Sequence, residues 1–167
     1  MKPILSVCLA VALMCSAQAQ DKPGPEHDVL KAHEGKWNAV MKMAGMETKC
    51  TASYKMTLGG LWLESNFEGD LGGTKFSGKG MDSYDATKKK YVTIWLDSMN
   101  TAPMMMEGTY DKDKKTMTME GTGPGPDGPK SKFKSVTVMK DADTIDFTMY
   151  TGDAKEAAFT IEYKRKK

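Results

Sequence analysis

The chain is poor in the residues that most catalytic and metal centres require. It holds two histidines, three cysteines and a single arginine in 167 residues. Both histidines, His27 and His33, precede the first stretch of alternating pattern. No Ser-His-Asp or Cys-His set can therefore be assembled across the body of the chain, and no glycine loop leads into a helix to cradle a phosphate. Cys8 and Cys15 sit in an apolar N-terminal run, which leaves Cys50 without a partner for a disulfide or a Cys-x-x-Cys redox pair. A buried thiol acting as a small hydrophobe is the expectation. Blocks of like charge are also missing. Lys+Arg number 24 against 22 Asp+Glu, interleaved, and the longest basic run is residues 164–167. Without aromatic or helical patterning around it, that run is a solvated end, and no nucleic-acid partner is expected.

What is present begins with a targeting pattern. Met1-Lys2-Pro3, an apolar run over residues 4–14 and Ala17-Gln18-Ala19 stand in the order of an export signal: basic start, short apolar core, small-x-small cleavage site. The run is too short to cross a bilayer. Residues 1–19 are read as a signal peptide, residues 20–25 as a polar leader and residues 26–167 as one domain. The mature protein is expected in a periplasm or outside the cell, free of the membrane.

Pro25, with Glu26 and Asp28 behind it, starts a short helix that Gly35 ends. From Trp37 the period changes to two. Cys50, Ala52, Tyr54 and Met56 alternate with Lys49, Thr51, Ser53 and Lys55, the pattern of a strand with one buried and one solvated face. Similar strands are read over residues 37–43, 61–67, 75–84, 91–97, 104–110, 116–120, 132–139, 144–150 and 159–165. Glycine pairs and Asp-rich turns punctuate them. Residues 121–129, rich in glycine and proline, are expected as a long exposed hairpin loop. Tyr84-Asp85 followed by Lys88-Lys89 and Tyr110-Asp111 followed by Lys114-Lys115 read as two hairpins of one type. Consecutive hairpins imply a meander, and about ten short strands avoid exposed edges by closing into an antiparallel, up-and-down barrel.

Extending the inward parity of the last strand through Phe159, Ile161 and Tyr163 places Arg165 on the inner face. A guanidinium there can lie over an indole, so Arg165 from the last strand is expected to pack on Trp37 from the first and close the barrel. The alternative is that Arg165 belongs to the basic tail. The helical lead-in, Gly35-x-Trp37, the meander and the terminal arginine together resemble the calycin superfamily of lipocalins, fatty-acid-binding proteins and nitrobindin-like barrels. The ordered set Gly59-Gly60-Leu61-Trp62-Leu63-Glu64, Tyr84-Asp85, Trp95-Leu96-Asp97-Ser98 and Glu107-Gly108-Thr109-Tyr110-Asp111 is similar to the bacterial family of domain of unknown function 1579. Leu61 departs from it, standing where relatives often carry arginine. The resemblance implies an all-β, calycin-like barrel and no activity. Nitrobindin-like barrels bind haem through a barrel histidine, and no residue here matches it; no cofactor is expected.

Methionine is abundant, 15 in the chain, with Met41/Met43, residues 104–106 and Met117/Met119 pairing thioethers on strand faces. Such a face suits an adaptable wall around an apolar ligand, and thioethers also select Cu(I). The expected ligand-lining or rim residues are Tyr84, Trp95, Asp97, Met106 and Glu64. Glu64 and Asp97 are also the carboxylates an acid/base reaction would use, although no catalytic set is defined. The expectation is a binding protein for a small apolar or amphipathic molecule; a Cu(I)-binding protein and a structural barrel with a filled core are the alternatives.

Overall fold

Two-residue alternation puts one set of side chains on one face of every strand, and here that set closes on itself. The computed structural model describes residues 21–167. The proposed signal at residues 1–19 lies outside them. A helix, α1 (Pro25–Lys31), leads into β1 (Gly35–Met43) and β2 (Met46–Thr57). After a 3-10 turn at Leu58–Gly60 come β3 (Trp62–Leu71), β4 (Thr74–Asp85), β5 (Lys90–Asp97) and β6 (Met104–Asp111). The chain ends with β7 (Thr116–Gly125), β8 (Gly128–Asp141), β9 (Thr144–Thr151) and β10 (Phe159–Arg165). Every strand pairs antiparallel with its sequence neighbour, and β1 pairs with β10, so the ten strands form a closed barrel.

The turns follow from local chemistry. Asp85 Oδ1 accepts the N–H groups of Thr87 and Lys88, both at 2.9 Å, and Asp111 Oδ1 accepts those of Asp113 and Lys114 at 3.1 and 3.0 Å. Each turn re-enters its strand through a lysine at positive φ, Lys89 at 54° and Lys115 at 50°. The two hairpins are thus one device used twice. The loop expected at residues 121–129 is a correction: β7 and β8 run through most of it and leave a short turn at Pro126-Asp127. The proline rule is obeyed by a register shift between Gly123 and Gly125, which takes Pro124 out of the ladder so that no N–H is missed.

One end of the barrel is plugged. Leu30 of α1 is buried with Leu63, Tyr91 and Met106, and the Tyr91 hydroxyl donates to the Glu26 carbonyl at 3.1 Å. His27 is also buried; its Nδ1 accepts the Gly24 N–H at 3.1 Å and caps the helix. Trp37, 1% exposed, donates through its indole N–H to the His33 carbonyl at 2.9 Å. The Arg165 guanidinium lies 4.1 Å above the Trp37 ring centroid. It also donates to the carbonyls of Ala32, Glu34 and Ala142 and to the Asp143 carboxylate. Gly35 makes room for this: its φ is +123° and a Cβ there would stand 2.9 Å from Arg165 Nη1. Cys50 is buried opposite Gly69 in the wall.

Removing this guanidinium breaks a stacked cation and four charge-assisted bonds at a partly buried site. Arg165→Ala is expected to lower stability by roughly 2–3 kcal/mol in urea unfolding. Arg165→Lys should recover less than half of the loss, because an ammonium cannot reach several carbonyls in one plane.

Candidate functional site

The inward faces of the strands leave a cavity of about 600 Å³ that extends from α1 to the opposite rim. Its floor is Leu30, His33 and Leu63, and Met99, Asn100 and Ala102 of the β5–β6 loop stand at its rim. Among the described residues eight methionines line it, including Met41/Met43, Met104/Met106 and Met117/Met119, so the paired thioethers seen in the sequence do point into one space. Space of this size lies within the range of small-molecule sites.

Trp95 owes its position to two glycines across the ladder. A Cβ on Gly78 would come within 2.1 Å of the Trp95 ring, and one on Gly80 within 3.3 Å. Without side chains at those positions on β4, the indole lies flat along the wall. Its N–H donates to Asp97 Oδ2 at 3.2 Å, while Asp97 Oδ1 accepts from the Met99 N–H and the Asn100 amide at 2.9 and 3.0 Å. Asp97 is therefore the rim residue that holds the β5–β6 loop against the indole.

Of the residues expected to line or rim a ligand site, the structure places Trp95, Asp97 and Met106 on the wall or rim of the cavity. It places Glu64 and Tyr84 elsewhere. On β3 the inward parity belongs to Leu63, Ser65 and Phe67, which turns Glu64 outward to an ion pair with Lys79 at 3.0 Å. Hydrogen bonds from Lys79 and Asn66 hold its carboxyl below the usual range. Tyr84 has inward parity but lies beyond the floor, edge-on to His27 of α1 and to Tyr91.

Among the polar side chains at the site that were not anticipated are Asp82 and His33. Asp82 lines the cavity, with Thr93 donating its hydroxyl to Oδ1. Burial pushes its pKa up to about 6 despite the Thr93 bond. Parity alone could have located it, since Asp82 lies on the same face of β4 as Gly78, Gly80 and Tyr84. His33, which the sequence places in the helical lead-in ahead of the first strand, lines the floor. Its Nδ1 is 2.9 Å from the Val29 carbonyl, an atom that can only accept, so Nδ1 carries the proton. Burial lowers the pKa of His33, which keeps the ring neutral and leaves Nε2 as a bare lone pair. Tyr54 stands 6.0 Å from His33 and 6.4 Å from Tyr163, centroid to centroid. Burial raises both phenols, Tyr54 to about 12 and Tyr163 well above its ordinary value, so each remains a neutral donor. Among the described residues no group of three or more His, Cys, Asp or Glu side chains converges as a metal site.

A family model described as "Protein of unknown function (DUF1579)" matches residues 22–165. The chain belongs to the DUF1579 family. This DUF1579 protein also resembles the crystal structure of Rv2717c from M. tuberculosis with a TM-score of 0.64, at 12% identity, over 88% of this chain and 100% of that one. That likeness shows a shared barrel fold. A redesigned β-barrel (TM-score 0.47, 14% identity, 83% of this chain and 96% of that one) and a de novo fluorescence-activating barrel (0.49, 13%, 83% and 98%) are more distant. No curated protein matches the chain.

Asp82 links the site to stability. Its pKa is raised in the folded state, so the native protein binds the proton more tightly than the unfolded chain, and stability falls as pH rises from about 4 to about 6. Above that window the ionised carboxylate costs the fold at most about 3 kcal/mol, and less where cavity water solvates it. Asp82→Asn is expected to be more stable than the parent at pH 7.5 and equal to it near pH 4, as read from urea unfolding at both values.

Proposed function

We propose that this DUF1579 protein is an exported carrier or receptor that binds a small apolar or amphipathic molecule inside its barrel. The observation that carries the reading is the unfilled 600 Å³ space walled by methionines and aromatics, with a few polar groups at fixed positions. A structural barrel would use the same inward residues to fill its core to the density of other protein interiors. Here small residues take inward positions beside the large ones: Ser65, Gly80, Thr93, Ser135 and Thr137 all face the cavity. Methionine supports the reading further, because flexible thioethers repack around ligands of different outline. Export rests on the pattern at residues 1–19.

The eight thioethers also motivate a second reading, Cu(I) binding. A titration under reducing conditions that finds one tightly held copper per chain, with no affinity for apolar probes, would replace the first reading by the second.

The first reading is tested with N-phenyl-1-naphthylamine, a neutral dye that fluoresces in apolar surroundings. Saturable binding of one dye per chain is expected. Met117→Trp, which places an indole in the cavity, should weaken it about tenfold or more while leaving the far-ultraviolet circular dichroism unchanged. A dye that does not bind, or that binds the variant equally well, would refute an internal site.

A further inference from the structure

The cavity carries a negative charge without a counter-ion. Among the described residues, neither a lysine nor an arginine lines it. The single arginine is engaged at the closed end with Trp37 and with the carbonyls of Ala32, Glu34 and Ala142. Among the described residues Asp82 receives one hydrogen bond, from Thr93 to Oδ1, and Oδ2 has no partner. A carboxylate accepts through two oxygens and about four lone pairs, so most of this capacity faces the cavity. The remaining titratable side chains of the lining are His33, Asp97, Tyr54, Tyr91 and Tyr163. His33 is a neutral acceptor at the floor, and Asp97 is committed at the rim to the Trp95 indole, the Met99 N–H and the Asn100 amide. The tyrosines are neutral, and none supplies a positive charge.

A buried carboxylate is costly without a partner, and structures that retain one either protonate it or pair it. The aromatic surroundings suit a cation. Trp95 is two residues along β5 from Thr93, which lies directly opposite Asp82 in the ladder, and indole and phenol faces attract ammonium groups. We propose that the natural ligand is a lipophilic amine: an apolar body enclosed by the methionines, with one protonated nitrogen that donates to Asp82. The assignment rests on the internal site proposed above and specifies its chemistry. A fatty acid would bring a second anion to Asp82, whereas a neutral alcohol would gain only an ordinary hydrogen bond.

The test is competition against bound N-phenyl-1-naphthylamine by three molecules of one chain length, decylamine, decanol and decanoate, each below its critical micelle concentration. At pH 7.5 decylamine should displace the dye at a concentration about tenfold or more below that needed for decanol, with decanoate the weakest. The amine itself stays protonated between pH 4.5 and 7.5, so loss of its advantage on acidification reports the protein. That advantage should shrink as pH falls through about 6. Asp82→Asn should bring amine and alcohol within about threefold of one another at pH 7.5, which separates Asp82 from any titration of His33. Equal potency of amine and alcohol, tightest binding of decanoate, or an amine preference that survives Asp82→Asn would each overturn the assignment while leaving an internal apolar site in place. So would failure of all three to displace a dye that binds. A dye that does not bind at all removes the internal site and this assignment together. Should Asp82→Asn not fold, the pH series is repeated on His33→Gln, where the loss of the amine advantage through about pH 6 should persist; its disappearance would overturn the assignment.

Discussion

Contact between the Arg165 guanidinium and the Trp37 indole joins the last strand to the first, and the rest of the architecture depends on that junction. Trp37 and Arg165 are direct partners in the β1–β10 ladder, so the stacked pair marks the rung at which the barrel closes. Without closure β1 and β10 would expose unpaired edges along their length, an invitation to pairing between chains. The same guanidinium binds the carbonyls of Ala32 and Glu34, which fixes the segment between α1 and β1, and that of Ala142 in the β8–β9 turn. Through these bonds a single side chain sets where the helix sits, and the helix sets the floor of the cavity.

From that floor upward, the interior departs from an ordinary protein core. On β3, β4, β5 and β8 serine, threonine or glycine share the inward face with large side chains, and the small ones leave space beside the large. The packing of Trp95 shows how the space is shaped: the two glycines beneath it let the indole lie against the wall, and Asp97 holds its edge. Polar groups are few and separated by height. Asp97 lies at the rim, Asp82 faces the interior and His33 lies at the floor, each bonded in a way that leaves its role defined. An apolar wall with a few oriented polar groups is the arrangement by which a pocket selects one end of an amphipathic molecule. A barrel of this kind hosts many functions, so the choice among them rests on those groups and not on the fold.

Much of this was legible along the chain. The repeated Tyr-Asp with lysines announced one hairpin used twice, and inward parity carried through Tyr163 led to Arg165. Parity was also sufficient to turn Glu64 outward and Asp82 inward, had it been followed through Leu63 and Ser65 on β3 and through the glycines of β4. Glycine obscured the second inference, because a face built of Gly78 and Gly80 does not read as apolar. Residues 121–129 misled for a different reason. Proline excludes a residue from ladder bonding only where the register demands an N–H, and a bulge at Pro124 removes that demand.

The sequence by itself determined the closed antiparallel barrel, the helix that enters it and the pairing of its two ends. Alternation, turn chemistry and a lone arginine are local signals that each specify a face or a junction. Only the tertiary structure decided that the interior is hollow, that Tyr84 falls below its floor while His33 faces into it, and that among the described residues no lysine or arginine shares the cavity with Asp82. Those are properties of distance and volume between strands far apart in the chain, and a period of two records which way a side chain points without recording what it meets.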